Sequence, residues 1–157
     1  MKIRAFTRKD IQGMLAIAKK LYPKWYHWTH LKSMPVDFCC QRGFAAFVQN
    51  KIVGFISYSS EDGIPRITRL GVDPALHRKG IGRKLVAATE HDLQKAGAGI
   101  LQVMAMGWTR PISRPHSDTL KFYKSRGFKI VKKHPVHVED GDRWRIYTLE
   151  KKWSRTR

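Results

Sequence analysis

Leu70-Gly71-Val72-Asp73-Pro74-Ala75-Leu76-His77-Arg78-Lys79-Gly80-Ile81-Gly82-Arg83-Lys84-Leu85 is the stretch on which the reading of this chain turns. A strand ends at Asp73-Pro74, a loop holding Gly80 and Gly82 follows, and a patterned helix begins at once. A helix N-terminus exposes N–H groups without intrahelical acceptors and carries partial positive charge, so this junction suits a phosphate or pyrophosphate. Glycine lets the backbone approach such a group closely. Between residues 66 and 84 there are six basic side chains and one acidic one, Asp73. A third glycine and a Gly-Lys-Ser/Thr run are both missing, so neither a dinucleotide fingerprint nor a P-loop is present.

Downstream, the helix runs over 81–96 with Leu85, Thr89, Leu93 and Ala96 on one face and Gly97 as its stop. A strand over 100–104 leads to a loop over 107–116 containing Pro111 and Pro115. A second helix over 117–126 closes at Gly127. A strand from Phe128 is then interrupted by Pro135, and 144–149 alternates back after an acidic turn. Upstream, Ile3 opens a short strand, Thr7 and Asp10 have capping-box spacing, and a helical pattern from Ile11 to Leu21 stops at Pro23. Strands over 44–48, 52–58 and 64–72 follow, turning at Gln49-Asn50-Lys51 and Glu61-Asp62-Gly63. This order describes one mixed α/β domain around a single sheet, with residues 1–152 as the domain and 153–157 as a basic, fraying tail.

Composition narrows the class. The 157 residues fit one domain, and 42% hydrophobic residues exclude general disorder. No apolar run is long enough to span a bilayer, and the N-terminus opens into patterned structure rather than a secretory h-region. A cytoplasmic location is the expectation. The two cysteines, Cys39 and Cys40, are adjacent and read as small buried thiols, with no disulfide framework. His27 and His30 lie upstream, but the spacing matches no metal-ligand pattern, and no metal is expected. Lys and Arg number 31 against 12 Asp and Glu, a formal net charge of +19. Such an excess points to an anionic ligand, an acidic partner or nucleic acid, or to adaptation to the cell interior.

A second constellation, Phe122-Tyr123-Lys124-Ser125-Arg126-Gly127-Phe128, lies about forty residues beyond the glycine loop. Together with Ile3-Arg4, Thr7, Asp10 and Leu70-Gly71-Val72-Asp73-Pro74, the two segments resemble the GNAT superfamily of acetyl-CoA-dependent N-acetyltransferases over nearly the whole chain. The resemblance implies a single-domain α/β (α+β) fold, with a central mixed, mostly antiparallel, splayed sheet flanked by helices. It implies acetyl-CoA as co-substrate and a primary amine, on a small molecule or a protein, as acceptor. Leu70, Gly71 and Val72 would offer backbone groups to the pantetheine arm. The backbone of Arg78, Lys79, Gly80, Ile81, Gly82 and Arg83 would cradle the pyrophosphate. Tyr123 would bind near the coenzyme sulfur and protonate the departing thiolate, which a phenol can do. Trp25, Tyr26 and Trp28 would line the acceptor side, and a homodimer is compatible with the resemblance.

The chain departs from the family pattern in three places. His77 stands where Arg or Gln is usual, and His116 where many relatives have Asn. Residues 66–72 contain no carboxylate to act as general base. His116 is the replacement candidate, since an unperturbed imidazole pKa near ~6.5 suits a base at neutral pH. Glu61 and Asp62 are weaker candidates because they occupy a turn, and a water chain or an amine already neutral would need no side-chain base. Arg110 and Arg114 are expected to steer an acidic acceptor. Two rivals stand beside the enzyme: a coenzyme-binding module that has lost its chemistry, and a basic nucleic-acid-binding protein.

Overall fold

The computed structural model describes residues 1–108, 114–139 and 141–154, without the side chains of 108, 114–117, 139 and 142. Strand β1 (Lys2–Ala5) is tied to helix α1 (Ile11–Leu21) through the intervening turn. The Thr7 N–H donates to Asp10 Oδ2 at 2.7 Å, and Arg4 grips both Asp10 oxygens at 2.8 and 3.0 Å. Met14, Ile17, Ala18 and Leu21 recur every three or four residues, and all are buried. Helix α2 (Trp28–Cys40) follows. The sequence assigned no element to 32–43. Pro35 lies inside α2, and its buried face is narrow, with Met34 and Phe38 four residues apart.

Strands β2 (Arg42–Val48), β3 (Lys51–Glu61) and β4 (Ile64–Val72) form an antiparallel meander. Helix α3 (Ile81–Lys95), strand β5 (Ile100–Trp108), helix α4 (Arg114–Ser125) and strands β6 (Lys129–Lys133), β7 (His137–Glu139) and β8 (Asp142–Lys152) complete the domain. The eight strands make one open sheet in the order β1-β2-β3-β4-β5-β8-β6, with β7 also on β8. Within it β4 and β5 are parallel and the other neighbours antiparallel. Helices cover both faces. Phe55 joins the cluster under α1 and α2, whereas its neighbour Ile56 joins the larger cluster with Leu85, Leu101, Tyr123 and Phe128. Because β3 is buried on both faces, its centre reads as a continuous apolar run instead of alternating.

Four expectations need correction. Strand β5 runs to Trp108, because β8 pairs with it from Ile100↔Lys152 to Trp108↔Trp144. Helix α4 already begins at Arg114, with Pro115 in its first turn, where a missing N–H costs no helical bond. The loop over 107–116 therefore shrinks to 109–113, which lies outside the described residues. Cys39 and Cys40 are exposed rather than buried, since Phe38 takes the inward position beside them. Trp153, placed in the tail, is anchored by donating from Nε1 to the Ala98 carbonyl at 2.6 Å and from its backbone N–H to Gly99.

Two stability predictions follow from these contacts. A Cβ on Gly43 would sit 1.9 Å from the Ile56 backbone oxygen, so Gly43→Ala should destabilise by about 3 kcal/mol or more in chemical denaturation. The Asp10 carboxyl is held below its ordinary value, first by the Arg4 hydrogen bonds and then by the Thr7 N–H. Its contribution to stability is therefore complete above the unfolded carboxylate pKa and lost as pH falls through the lower folded value. Asp10→Asn should remove that part of the acid limb when stability is measured between pH 5 and 2.

Candidate active site

The site begins with a register fault. Ser57 pairs with Arg69 but Tyr58 pairs with Ile67, so Thr68 is an extra residue bulged out of β4. The last β4–β5 partners among the described residues are Ile67 and Val103. Beyond that point β4 stays on β3 as far as Val72↔Gly54, while β5 stays on β8 as far as Trp108↔Trp144. The facing edges of β4 and β5 therefore diverge from the bulge onward. A bulge bends the strand that carries it and raises its local twist, which accounts for the parting. The Leu70 and Val72 carbonyls face away from β3, since Tyr26 Oη donates to Leu70 and His77 Nε2 donates to Val72 at 2.8 Å.

The wedge opens at the C-terminal end of β4, where the glycine loop leads into α3. Gly80 is the N-cap at φ 79°, a left-handed conformation that glycine adopts without a Cβ penalty. The first helical bond is donated by Lys84 to the Gly80 carbonyl at 3.1 Å. The N–H groups of Ile81, Gly82 and Arg83 thus precede the intrahelical ladder. Arg78, Lys79, Arg83 and Lys84 are all exposed around them. A Cβ on Gly82 would lie 3.4 Å from the Phe122 ring and 3.8 Å from Val72, so this glycine sits between β4 and α4 at the mouth of the wedge.

From α4, Tyr123 is only 4% exposed and packs edge-on against Phe122 and Phe128. Burial, followed by the nearby Tyr26, pushes its phenol well above the ordinary value. Tyr26 is likewise raised by burial, with Arg69 pulling the other way. Both phenols therefore keep their protons at neutral pH, which makes them donors and not bases. Trp25 meets the His77 ring edge-on at 4.9 Å, whereas Trp28 is 54% exposed. The backbone of His116 lies in the first turn of α4, but its side chain and the whole of Arg110, like the Arg114 side chain, lie outside the described residues.

The structure adds a polar network that the sequence reading missed. Arg69 donates to Asp37 at 3.1 Å and to Ser33 at 3.2 Å, and Ser33 donates to Asp37 at 3.2 Å. Thr68 donates to Gln41 and lies 2.9 Å from the Ser57 hydroxyl. This network ties the bulge to α2. Its only sequence signal is that Asp37 is the sole carboxylate between residues 11 and 60. Among the described residues no group of His, Cys, Asp and Glu could hold a metal ion.

A parted parallel strand pair thus opens onto a glycine-capped helix N-terminus. The chain belongs to the acetyltransferase (GNAT) domain family, whose model matches residues 40–130. An aminoglycoside 6'-N-acetyltransferase complexed with coenzyme A superposes with a TM-score of 0.77 at 19% identity, covering 97% of each chain. The PaiA N-acetyltransferase of Thermoplasma acidophilum with coenzyme A gives 0.71 at 19% identity, covering 98% of this chain and 100% of that one. The ribosomal-protein-S18-alanine N-acetyltransferase of Escherichia coli gives 0.73 at 18% identity, covering 98% and 95%. No curated protein matches the sequence.

Acetyl-CoA is the co-substrate of this family. The residues present fit it: N–H groups ahead of the α3 ladder, four exposed cations around them, and an unpaired strand edge alongside. Gly82→Val would fill the mouth between Val72 and Phe122. It should weaken acetyl-CoA binding at least tenfold by calorimetry while near-ultraviolet circular dichroism still shows a packed core. Unaltered affinity in a folded variant would remove the cradle from this loop.

Proposed function

We propose that this chain is an N-acetyltransferase that moves an acetyl group from acetyl-CoA to a primary amine by direct attack on the thioester carbonyl. The observation that carries the reading is the parting of β4 from β5 at Thr68, opening onto the N-terminus of α3. In this reading the backbone of Leu70 and Val72 binds the pantetheine arm along the free edge, with Gly71 between them turned to β3. The backbone of Arg78, Lys79, Gly80, Ile81, Gly82 and Arg83 holds the pyrophosphate, with the Arg and Lys side chains adding attraction. A backbone N–H of β4 polarises the thioester oxygen as charge develops on it.

Tyr123 is the general acid. Its buried phenol stays protonated and donates a hydrogen bond to the sulfur as negative charge develops there; because burial makes it a weaker acid, stabilising the leaving thiolate is the larger part of that role. Tyr123→Phe keeps the ring against Phe122 and Phe128 and removes only the hydroxyl. Turnover should fall by about 10²–10⁴-fold with coenzyme affinity nearly unchanged. Wild-type turnover would return Tyr123 to a packing role.

Proton removal from the amine is assigned in this scheme to His116, whose backbone lies in the first turn of α4, the helix that carries Tyr123. His116→Gln should flatten the rise of kcat/KM with pH near the imidazole range, read from a pH–rate profile. Trp25 and Tyr26 border the acceptor side, with Trp28 at its exposed rim. The acceptors named for the fold's neighbours run from an aminoglycoside to the alanine of ribosomal protein S18, so the fold itself selects none. A thiol-release assay with acetyl-CoA over small amines, amino acids and peptides tests the reaction and its acceptor class together. Coenzyme binding without thiol release across the whole panel would overturn the enzymatic reading.

A further inference from the structure

The positive charge has a place in the fold that the proposed reaction does not use. β6 ends the sheet, and β6 and β7 pair in succession with the same strand, β8. Lys129 faces Glu150 and Lys133 faces Tyr147, then His137 faces Trp144, so the two strands form one edge interrupted at Pro135. From 119 to 138 the chain carries Lys121, Lys124, Arg126, Lys129, Lys132 and Lys133 and no Asp or Glu. The five lysines are exposed, and none of the ion pairs among the described residues involves them. Glu150 is already held by Lys152 at 3.3 Å and by Gln102 at 2.8 Å. An acidic turn over 139–142 bounds the strip at its far end.

Along the same edge, His137 stacks on Trp144 with ring centroids 4.4 Å apart and planes 19° from parallel. Val131 and Val138 are 54% and 63% exposed. The lysines and Pro135 by themselves would serve to keep a second copy from pairing with the open edge. That purpose does not call for a flat aromatic stack. Lysines spaced along a strand and ending at stacked rings suit a chain of phosphates whose bases carry π-faces. An acidic peptide would satisfy the lysines but leave the rings unused. Four residues of β8, roughly 13 Å, separate Thr148, the partner of Lys132, from Trp144, the partner of His137, so both lie on one face with Lys129 and one short strand can engage them.

We propose that the β6–β7 edge is a docking surface for single-stranded nucleic acid, with the lysines on phosphates and the His137–Trp144 stack under a base. The surface lies on the far side of β5 and β8 from the parted edge of β4, so it stands independently of the acetyl-transfer reading. Fluorescence anisotropy with a twelve-nucleotide oligouridine tests it on the full chain. Lys129→Ala/Lys132→Ala/Lys133→Ala should weaken binding at least tenfold at 0.1 M salt. It should also flatten the slope of log K against log salt by about 2, at about 0.7 per single-strand phosphate contact. The control Lys2→Ala/Lys9→Ala/Lys51→Ala removes equal charge elsewhere and should stay within about threefold of wild type. His137→Ala should weaken oligouridine but not inorganic polyphosphate of matched charge. Equal losses in the two triple variants would reduce the effect to net charge and overturn the proposal. So would oligouridine, polyphosphate and polyglutamate of matched charge binding equally well to the wild type.

Discussion

The extra residue in β4 is the constraint on which the rest of this molecule depends. One bulged threonine ends the parallel pairing of β4 with β5 after two residue pairs. Without it the sheet would close, and the Leu70 and Val72 carbonyls would be spent on β5. Such a fault needs support, because an unpaired residue in a central strand forfeits ladder hydrogen bonds. The support comes from α2 with its C-cap Gln41, and from Ser57 of β3. Gln41 and Ser57 hold Thr68, and Asp37 and Ser33 hold Arg69. The helix that the sequence signals least clearly is thus the one that keeps the sheet open.

What could be read from the sequence and what could not divide along physical lines. The junction of glycine loop and helix was legible because its signals are local, Gly80 and Gly82 standing where the helical pattern begins, though the left-handed N-cap at Gly80 is seen only in the structure. The helix that carries Tyr123 was legible because its glycine stop and the returning strand lie next to one another. Thr68 was not, since a bulge is defined by the register of a partner strand and not by its own residue type. Asp37 was hidden for the same reason, its partner Arg69 being 32 positions away. Cys39 and Cys40 misled because a small thiol reads as buried by composition, while helical phase put Phe38 inward in their place.

The open edge is also not bare. Tyr26 and His77 reach it from opposite elements, the α1–α2 connection and the glycine loop, and each takes one of its carbonyls. Trp25 then touches His77 edge-on, with the Lys24 ammonium 4.5 Å from the Trp25 ring centroid. The α1–α2 connection and the glycine loop are therefore one packed unit, not two independent walls. A side-chain hydrogen bond to an edge carbonyl can be exchanged for one from a ligand amide at little net cost, since one N–H or O–H donor replaces another. The edge carbonyls are thereby satisfied by the protein's own groups.

The charge balance is explained by where the cations stand rather than by their number. Arg4, Lys20, Arg66, Arg69, Lys151 and Lys152 enter ion pairs, and with 31 Lys and Arg against 12 Asp and Glu most cations have no carboxylate of their own and repel one another. Self-repulsion of that kind opposes compaction, and a domain tolerates it when the charges lie outside the core and are well solvated. Here both apolar clusters lie between the sheet and its helices, and the lysines occupy helix exteriors, turns and the terminal strand. Two concentrations of exposed charge stand out, one around the N-terminus of α3 and one along β6. The first surrounds unpaired N–H groups and the second adjoins an aromatic stack, so each couples a diffuse field to short-range chemistry that can fix a ligand's position. Field alone would attract any polyanion, whereas the paired short-range groups separate a pyrophosphate from a strand of bases.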